Sequence, residues 1–212
     1  MRLTTGEKLL IRSPLRTYML RRLEAPRVLS NLDIGERSVC LDIGCGNGVG
    51  TLLINQYLDC EKVVGIDIDP DMIAAAKEHL SHPPKWAQNI RTDNIEFLCE
   101  DATASTFPDC YFDAVFLFGV LHHIKGWKKL ISEVYRILKV GGVFSFSEET
   151  LLPDFIFRFG KPGLDAAYKL FGGTPISEGE LKTTLEGSGF SIQRFEKKLS
   201  MCFVRAIKGG TM

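Results

Sequence analysis

The chain has 212 residues, 45% apolar and 25% charged, which is enough for a single domain with a proper core. Its 26 basic and 26 acidic side chains cancel, so the global charge points neither to nucleic acid nor to an acidic partner. The longest apolar run, Ala114–Leu121, is too short to span a bilayer.

The N-terminal stretch MRLTTGEKLLIRSP lacks the apolar core of a signal peptide. The six cysteines form no C-x-x-C pair and read as free, mostly buried thiols of a cytoplasmic protein. Ser13-Pro14 predicts a capping serine and a first-turn proline, opening a helix to about Asn31. Its apolar positions include Leu15, Met19, Leu20, Leu23 and Val28. Residues 1–27 hold seven basic side chains against Glu7 and Glu24. The simple account is a solvated helix face; the functional one is a cap over a ligand or an anion-binding edge.

Val39–Ile43 reads as a short buried strand. Glycines follow at 44, 46, 48 and 50, and a helix runs from Gly50 to Leu58. Lys62–Ile68 is the second strand, and Asp69-Pro70 starts a helix that runs to about Leu80. His82-Pro83-Pro84 breaks it. Ile95–Cys99 is a third strand and Thr103–Tyr111 a polar loop. Phe112–Phe118, almost wholly apolar, is a strand buried on both faces. Trp127–Lys139 is an amphipathic helix closed by Gly141-Gly142, and Val143–Ser147 is strand five. Leu151–Phe171 is irregular and aromatic-rich. Ser177 and Glu180 make a capping box for a helix to Gly187. Phe190–Glu196 and Leu199–Ile207 alternate as an antiparallel hairpin joined by Lys197-Lys198. Alternating strands and helices imply a parallel sheet covered on both faces.

The glycine turn carries the functional signal. A strand that turns into a helix through glycines offers a backbone floor that a ligand can approach closely. A dinucleotide fingerprint needs G-x-G-x-x-G, but Val49 or Thr51 stands where the third glycine would be. The spacing is Gly44-x-Gly46-x-Gly48, with Asp42 two residues earlier. Acids mark three successive strand ends: Asp42, Asp67 and Asp101. Asp67 lies 23 residues after Gly44, a place suited to accepting bonds from two ribose hydroxyls. Asp42, with no basic residue beside it, disfavours a phosphate and favours a ligand that brings positive charge. The structural alternatives are helix caps at Asp67 and Asp69 and a turn at Asp101.

LDIGCGNG (41–48), VVGIDIDPDMI (63–73), CEDATASTFPDCYFDAVF (99–116), LHHI (121–124) and EVYRILKVGG (133–142) resemble successive motifs of the class I S-adenosylmethionine-dependent methyltransferases, in the small-molecule, quinone-biosynthesis-like branch. The resemblance covers roughly residues 36–147. It implies a Rossmann-like, doubly wound α/β fold with a seven-stranded sheet of order 3-2-1-4-5-7-6, strand 7 antiparallel. It also implies S-adenosylmethionine as cofactor. Gly44, Cys45, Gly46, Asn47 and Gly48 would contact the methionine part, with Asp42 nearby. Asp67 would hold the ribose, Ile68 would flank the adenine, and Asp101-Ala102 would read the adenine amino group. The carbonyls of Gly44 and Phe118 would receive the ammonium. Val140 departs from the family, which usually has proline before the double glycine.

Methyl transfer from a sulfonium is an in-line displacement, and a base is needed only when the acceptor must lose a proton. His122 and His123, as chain neighbours, are expected to point to different sides, a poor metal pair, and a structural role is favoured for both. Tyr18 is a further candidate. No catalytic residue and no metal ligand is assigned. On this reading one domain, 1–212, has a cofactor-binding core at 38–147 and a C-terminal helix and hairpin at 177–212. Residues 1–37 and 148–176 would form a mobile cap that selects a small, apolar or aromatic substrate, with Phe155 and Phe157 among its walls. The sequence assigns no oligomeric state. Two rivals remain: a non-catalytic cofactor-binding or partner subunit, and an NAD-dependent oxidoreductase, which the glycine spacing disfavours.

Overall fold

Helix starts follow the capping chemistry. Ser13 Oγ accepts from the Arg16 amide at 3.1 Å and opens α1 (Pro14–Met19). The computed structural model describes residues 11–149, 176–198 and 201–210. Residues 1–10 and almost all of the 148–176 stretch, Phe155 and Phe157 included, lie outside them. From α1 the chain passes through one π turn (Leu20–Glu24) into α2 (Ala25–Leu29), so the helix stops short of Asn31. Leu20, Glu24 and Val28, spaced by four, form its buried face, whereas Leu15 and Leu23 face solvent.

The core strands are β1 (Val39–Ile43), β2 (Lys62–Asp67), β3 (Ile95–Cys99), β4 (Phe112–Phe118) and β5 (Leu138–Glu149). Between them lie α3 (Val49–Leu58), α4 (Pro70–Ser81) and α5 (Trp127–Ile137). The chain ends in α6 (Glu178–Gly187), β6 (Phe190–Lys198) and β7 (Met201–Lys208). The sheet order is β3-β2-β1-β4-β5-β7-β6, as expected. The first five strands run parallel, and β7 is antiparallel to both β5 and β6. Strand order reverses between β1 and β4, so their carboxyl ends flank the crevice where such sheets hold ligands.

Several boundaries differ from the sequence reading. Helix α5 ends at Ile137, because Leu138 already pairs with Phe112; a register shift follows, so Gly141-Gly142 lie in the irregular first part of β5. Strand β2 stops at Asp67. Lys197 and Lys198 pair with Cys202 and Met201, so they belong to β6 and not to the connection.

Strand β4 is the centre of the core, as its apolar run predicts. Val115 and Leu117 point to one face, with Leu41, Ile131, Val134, Leu181 and Leu185. Ala114 and Phe116 point to the other, with Cys40, Val28, Leu29, Leu52 and Ile54. Among the described residues no helix is long and apolar enough to cross a membrane. Four cysteines are buried, and Cys99 and Cys110 are exposed.

Helix α3 sits low on the sheet because β2 carries Gly65. A Cβ there would lie 2.7 Å from the Phe97 ring and 2.8 Å from Thr51 Oγ1. Gly65→Ala should therefore destabilise the protein by about 1–3 kcal/mol through overpacking. In urea, the unfolding midpoint should fall with the slope unchanged; a midpoint equal to wild type would show that α3 lifts without cost.

Candidate active site

The glycine turn is tied to the end of β2. The amides of Gly44 and Cys45 both donate to the Ile66 carbonyl, at 2.8 and 3.0 Å. The Gly46 amide donates to Asp67 Oδ2 at 3.0 Å, and the Asp69 amide to Asp67 Oδ1 at 2.9 Å. One carboxylate thus holds the glycine turn and the start of α4 together. Asp69 caps α4 by accepting from the Asp71 amide at 3.0 Å. Cys45 and Asn47 are buried within the turn, and His79 Nδ1–H donates to the Asn47 carbonyl at 2.9 Å.

The glycines also serve the fold. A Cβ on Gly44 would lie 2.5 Å from Val120 Cγ2, and one on Gly48 would lie 2.7 Å from the Phe97 ring. Both positions also have positive φ. Close internal packing and the left-handed turn demand glycine at these two positions on structural grounds alone.

Asp42 is not at the strand tip but inside β1, aimed at α3. Its Oδ2 accepts from Thr51 Oγ1 at 2.6 Å. Burial pushes its carboxyl up to about 7; the Thr51 bond opposes this and the nearby Asp67 charge adds to it. Burial also raises Asp67, against the bonds from Asp69 and Gly46. Asp101 caps the short turn Ala102–Ala104, accepting from the Thr103 amide and hydroxyl at 2.8 Å each, which holds its carboxyl below the usual range. Ile68 is exposed beside Asp67 and Ala102 is half-buried.

At the ends of β4 and β5 the N-terminal helix is fastened down. The Arg16 guanidinium donates to the Phe118 carbonyl at 3.0 Å and pairs with Glu24. Glu24, almost fully buried, accepts from Ser147 Oγ at 2.9 Å. The carbonyl that the resemblance assigns to an ammonium thus already receives a guanidinium. Tyr18, 60% exposed, lies on the outward side of α1 and is not brought to the glycine turn.

His122 and His123 belong to the turn Leu121–His123, and their rings lie 4.0 Å apart. They do not point to different sides, because this tight turn brings adjacent side chains together. His122 Nδ1–H donates to Glu148 Oε1, and Glu148 Oε2 accepts from the Leu121 amide at 2.8 Å. Glu148 is fully buried. A carboxylate only accepts, so it fixes the His122 proton on Nδ1 and leaves Nε2 as the basic nitrogen of the neutral ring.

Sequence reasoning missed Glu148, Glu24 and Thr51. Glu24 had a signal, since it sits four residues from both Leu20 and Val28 on an apolar face. Glu148 had a weaker one: the charge in SFSEE follows a run of buried strand residues. Thr51 had none beyond its place in the first turn of α3.

A family model described as methyltransferase domain matches residues 41–146. Phosphoethanolamine N-methyltransferase 3 of Arabidopsis thaliana is 32% identical over 139 residues, 63% of this chain and 26% of that protein. Malonyl-[acyl-carrier protein] O-methyltransferase 1 of Ilyobacter polytropus is 28% identical over 176 residues, 80% of this chain and 61% of that one. The chain therefore spans less than two thirds of these curated relatives. A SAM dependent methyltransferase from Aquifex aeolicus has the same fold, with a TM-score of 0.72 and 20% identity over 98% of this chain and 100% of that one. With half its length inside the family match and its strands in the expected order, the chain belongs to the class I S-adenosylmethionine-dependent methyltransferases.

The raised Asp42 pKa makes stability pH-dependent, with a definite sign. The folded protein holds this proton more tightly than the unfolded chain, whose aspartates titrate near ~4. Stability present below that value is lost as pH rises toward about 7. The slope contributed by one group is at most about 1.4 kcal/mol per pH unit. Asp67 adds a slope of the same sign. Asp42→Asn, which keeps an acceptor for Thr51, should flatten the fall of unfolding free energy between these limits. An unchanged slope would place the linkage elsewhere.

Proposed function

We propose that the chain moves the methyl group of S-adenosylmethionine to a small acceptor, and that the Asp67 clamp carries the cofactor site. Each Asp67 oxygen takes one backbone N–H, and a carboxylate has about four acceptor positions, so both oxygens retain capacity for ribose hydroxyls. Exposed Ile68 offers an apolar surface for the adenine, with Asp101 and Ala102 at its amino group. Two carboxylates raised by burial, Asp42 and Asp67, favour a cationic ligand over a dinucleotide phosphate. Arg16, at the Phe118 carbonyl, would meet the carboxylate of the methionine part. The bound cofactor supplies an activated methyl group for in-line displacement.

His122, oriented by Glu148, would take the proton from an acceptor that has one to lose. An apolar or aromatic acceptor fits the side chains expected at 148–176.

Calorimetric titration tests the cofactor assignment. S-Adenosylmethionine and its demethylated product should bind, and NAD of comparable affinity would overturn the reading. Asp67→Ala should weaken binding roughly tenfold or more, since a hydrogen bond to a charged acceptor contributes about 1.5–3 kcal/mol. Equal affinity in a folded variant would reduce Asp67 to a cap.

The acceptor is sought with radiolabelled cofactor methyl and extracts of the source organism. For an acceptor that loses a proton, His122→Ala should cut turnover by about 10²–10⁴. Cofactor affinity should stay near wild type, whereas equal losses in both would assign His122 to structure.

A further inference from the structure

The helix that fastens over the sheet turns a second face outward. Leu15 and Leu23 are 65% and 45% exposed, and Tyr18 lies between them. Fifteen and eighteen are one turn apart. The π turn at Leu20–Glu24 adds a residue to the winding, which carries Leu23 round to the same side. Beside this stripe lies a groove of about 420 Å³, lined by Arg21, Arg22, Leu53, Gln56 and Tyr57. Arg21 stacks on Trp86, its guanidinium carbon 4.4 Å from the ring centre. Among the described residues neither Arg21 nor Arg22 forms an ion pair, and α3 contributes no acid to the groove. Arg12 likewise forms no ion pair among the described residues, whereas Arg16 is matched by Glu24 and Arg27 lies close enough to Glu196 to lower its pKa.

Exposed leucines, tyrosines at the margin and unneutralised guanidiniums on one helix face are the composition of an interfacial helix. The chain is neutral overall, so this positive surface is local. We infer that this face docks on an anionic phospholipid surface. Arg21 and Arg22 take headgroup phosphate in the groove, and Leu15, Tyr18 and Leu23 enter the acyl boundary. The inner side of the same helix covers the ends of β4 and β5 through Arg16 and Glu24. Docking therefore sets the mouth of the site beside the membrane, where an apolar acceptor is concentrated. The inference stands on the outer face and does not depend on the identity of the acceptor.

Co-sedimentation of the full chain with vesicles tests it. The protein should pellet with equimolar phosphatidylcholine and phosphatidylglycerol, not with phosphatidylcholine alone, and added salt should release it. Arg21→Gln with Arg22→Gln should weaken partitioning about 30-fold, the loss expected for two basic side chains near an anionic surface. Leu15→Ser with Leu23→Ser should weaken it as well. Unfolding midpoints near wild type qualify the variants. Should either fail to fold, the lipid and salt dependence of the wild type decides alone. Absence of pelleting with the mixed vesicles, equal pelleting with both kinds, or an unaffected arginine variant would overturn the inference. Binding of inorganic pyrophosphate without vesicle binding would also overturn it, by making the groove a site for free phosphate.

Discussion

The Asp67 carboxylate is where the two halves of the site meet. Its bonds to the Gly46 and Asp69 amides add to the Gly44 and Cys45 bonds to the Ile66 carbonyl and join the glycine turn after β1 to the entry of α4. With them, the two loops are held as one edge by a single side chain. The register agrees: Ile43 pairs with Ile66, so β1 and β2 end level and one side chain can bridge both exits.

Two other acids at this edge obey a different rule. Glu24 and Glu148 are buried, which costs several kcal/mol for an unpaired charge. Each is compensated by donors from separate elements: Arg16 and Ser147 for Glu24, His122 and the Leu121 amide for Glu148. The pairs stitch α1, the turn after β4, and β5 together at the carboxyl end. Buried ion pairs of this kind are weak evidence for net stability, since their desolvation offsets much of their attraction. Removing one partner alone is the costly change.

The pattern of strands and helices was legible because it follows periodicity and capping, both local. Ser13-Pro14, Asp69-Pro70 and Ser177 with Glu180 each open a helix where expected. What escaped were boundaries set by pairing across the sheet. Leu138 leaves α5 because Phe112 offers it a partner, and Lys197-Lys198 stay in β6 because Cys202 and Met201 do. No local signal encodes either. The site divides the same way. Asp67 and the glycine turn could be named from spacing, but Glu148 meets His122 across 26 residues and Glu24 meets Ser147 across 123. Such contacts exist only once the topology has closed. Asp101 shows the converse: a residue named for a ligand has a sufficient local role as a turn cap.

The glycine run shows why spacing alone is an ambiguous guide to chemistry. Gly44 and Gly48 are demanded by Val120 and Phe97, and a Cβ on Gly50 would lie 2.9 Å from both Asp42 Oδ2 and the Phe118 ring. The same close approach that excludes side chains also seals Asp42 from water and raises its pKa. Packing and electrostatics at this turn are therefore one feature: tightening the first produces the second. In the ligand-free protein that arrangement is unfavourable, because a carboxylate is held where ionisation is costly. The burial of Asp42 thus rests on the depth at which α3 sits against β1 and β2, which Gly65 permits and Thr51 fastens.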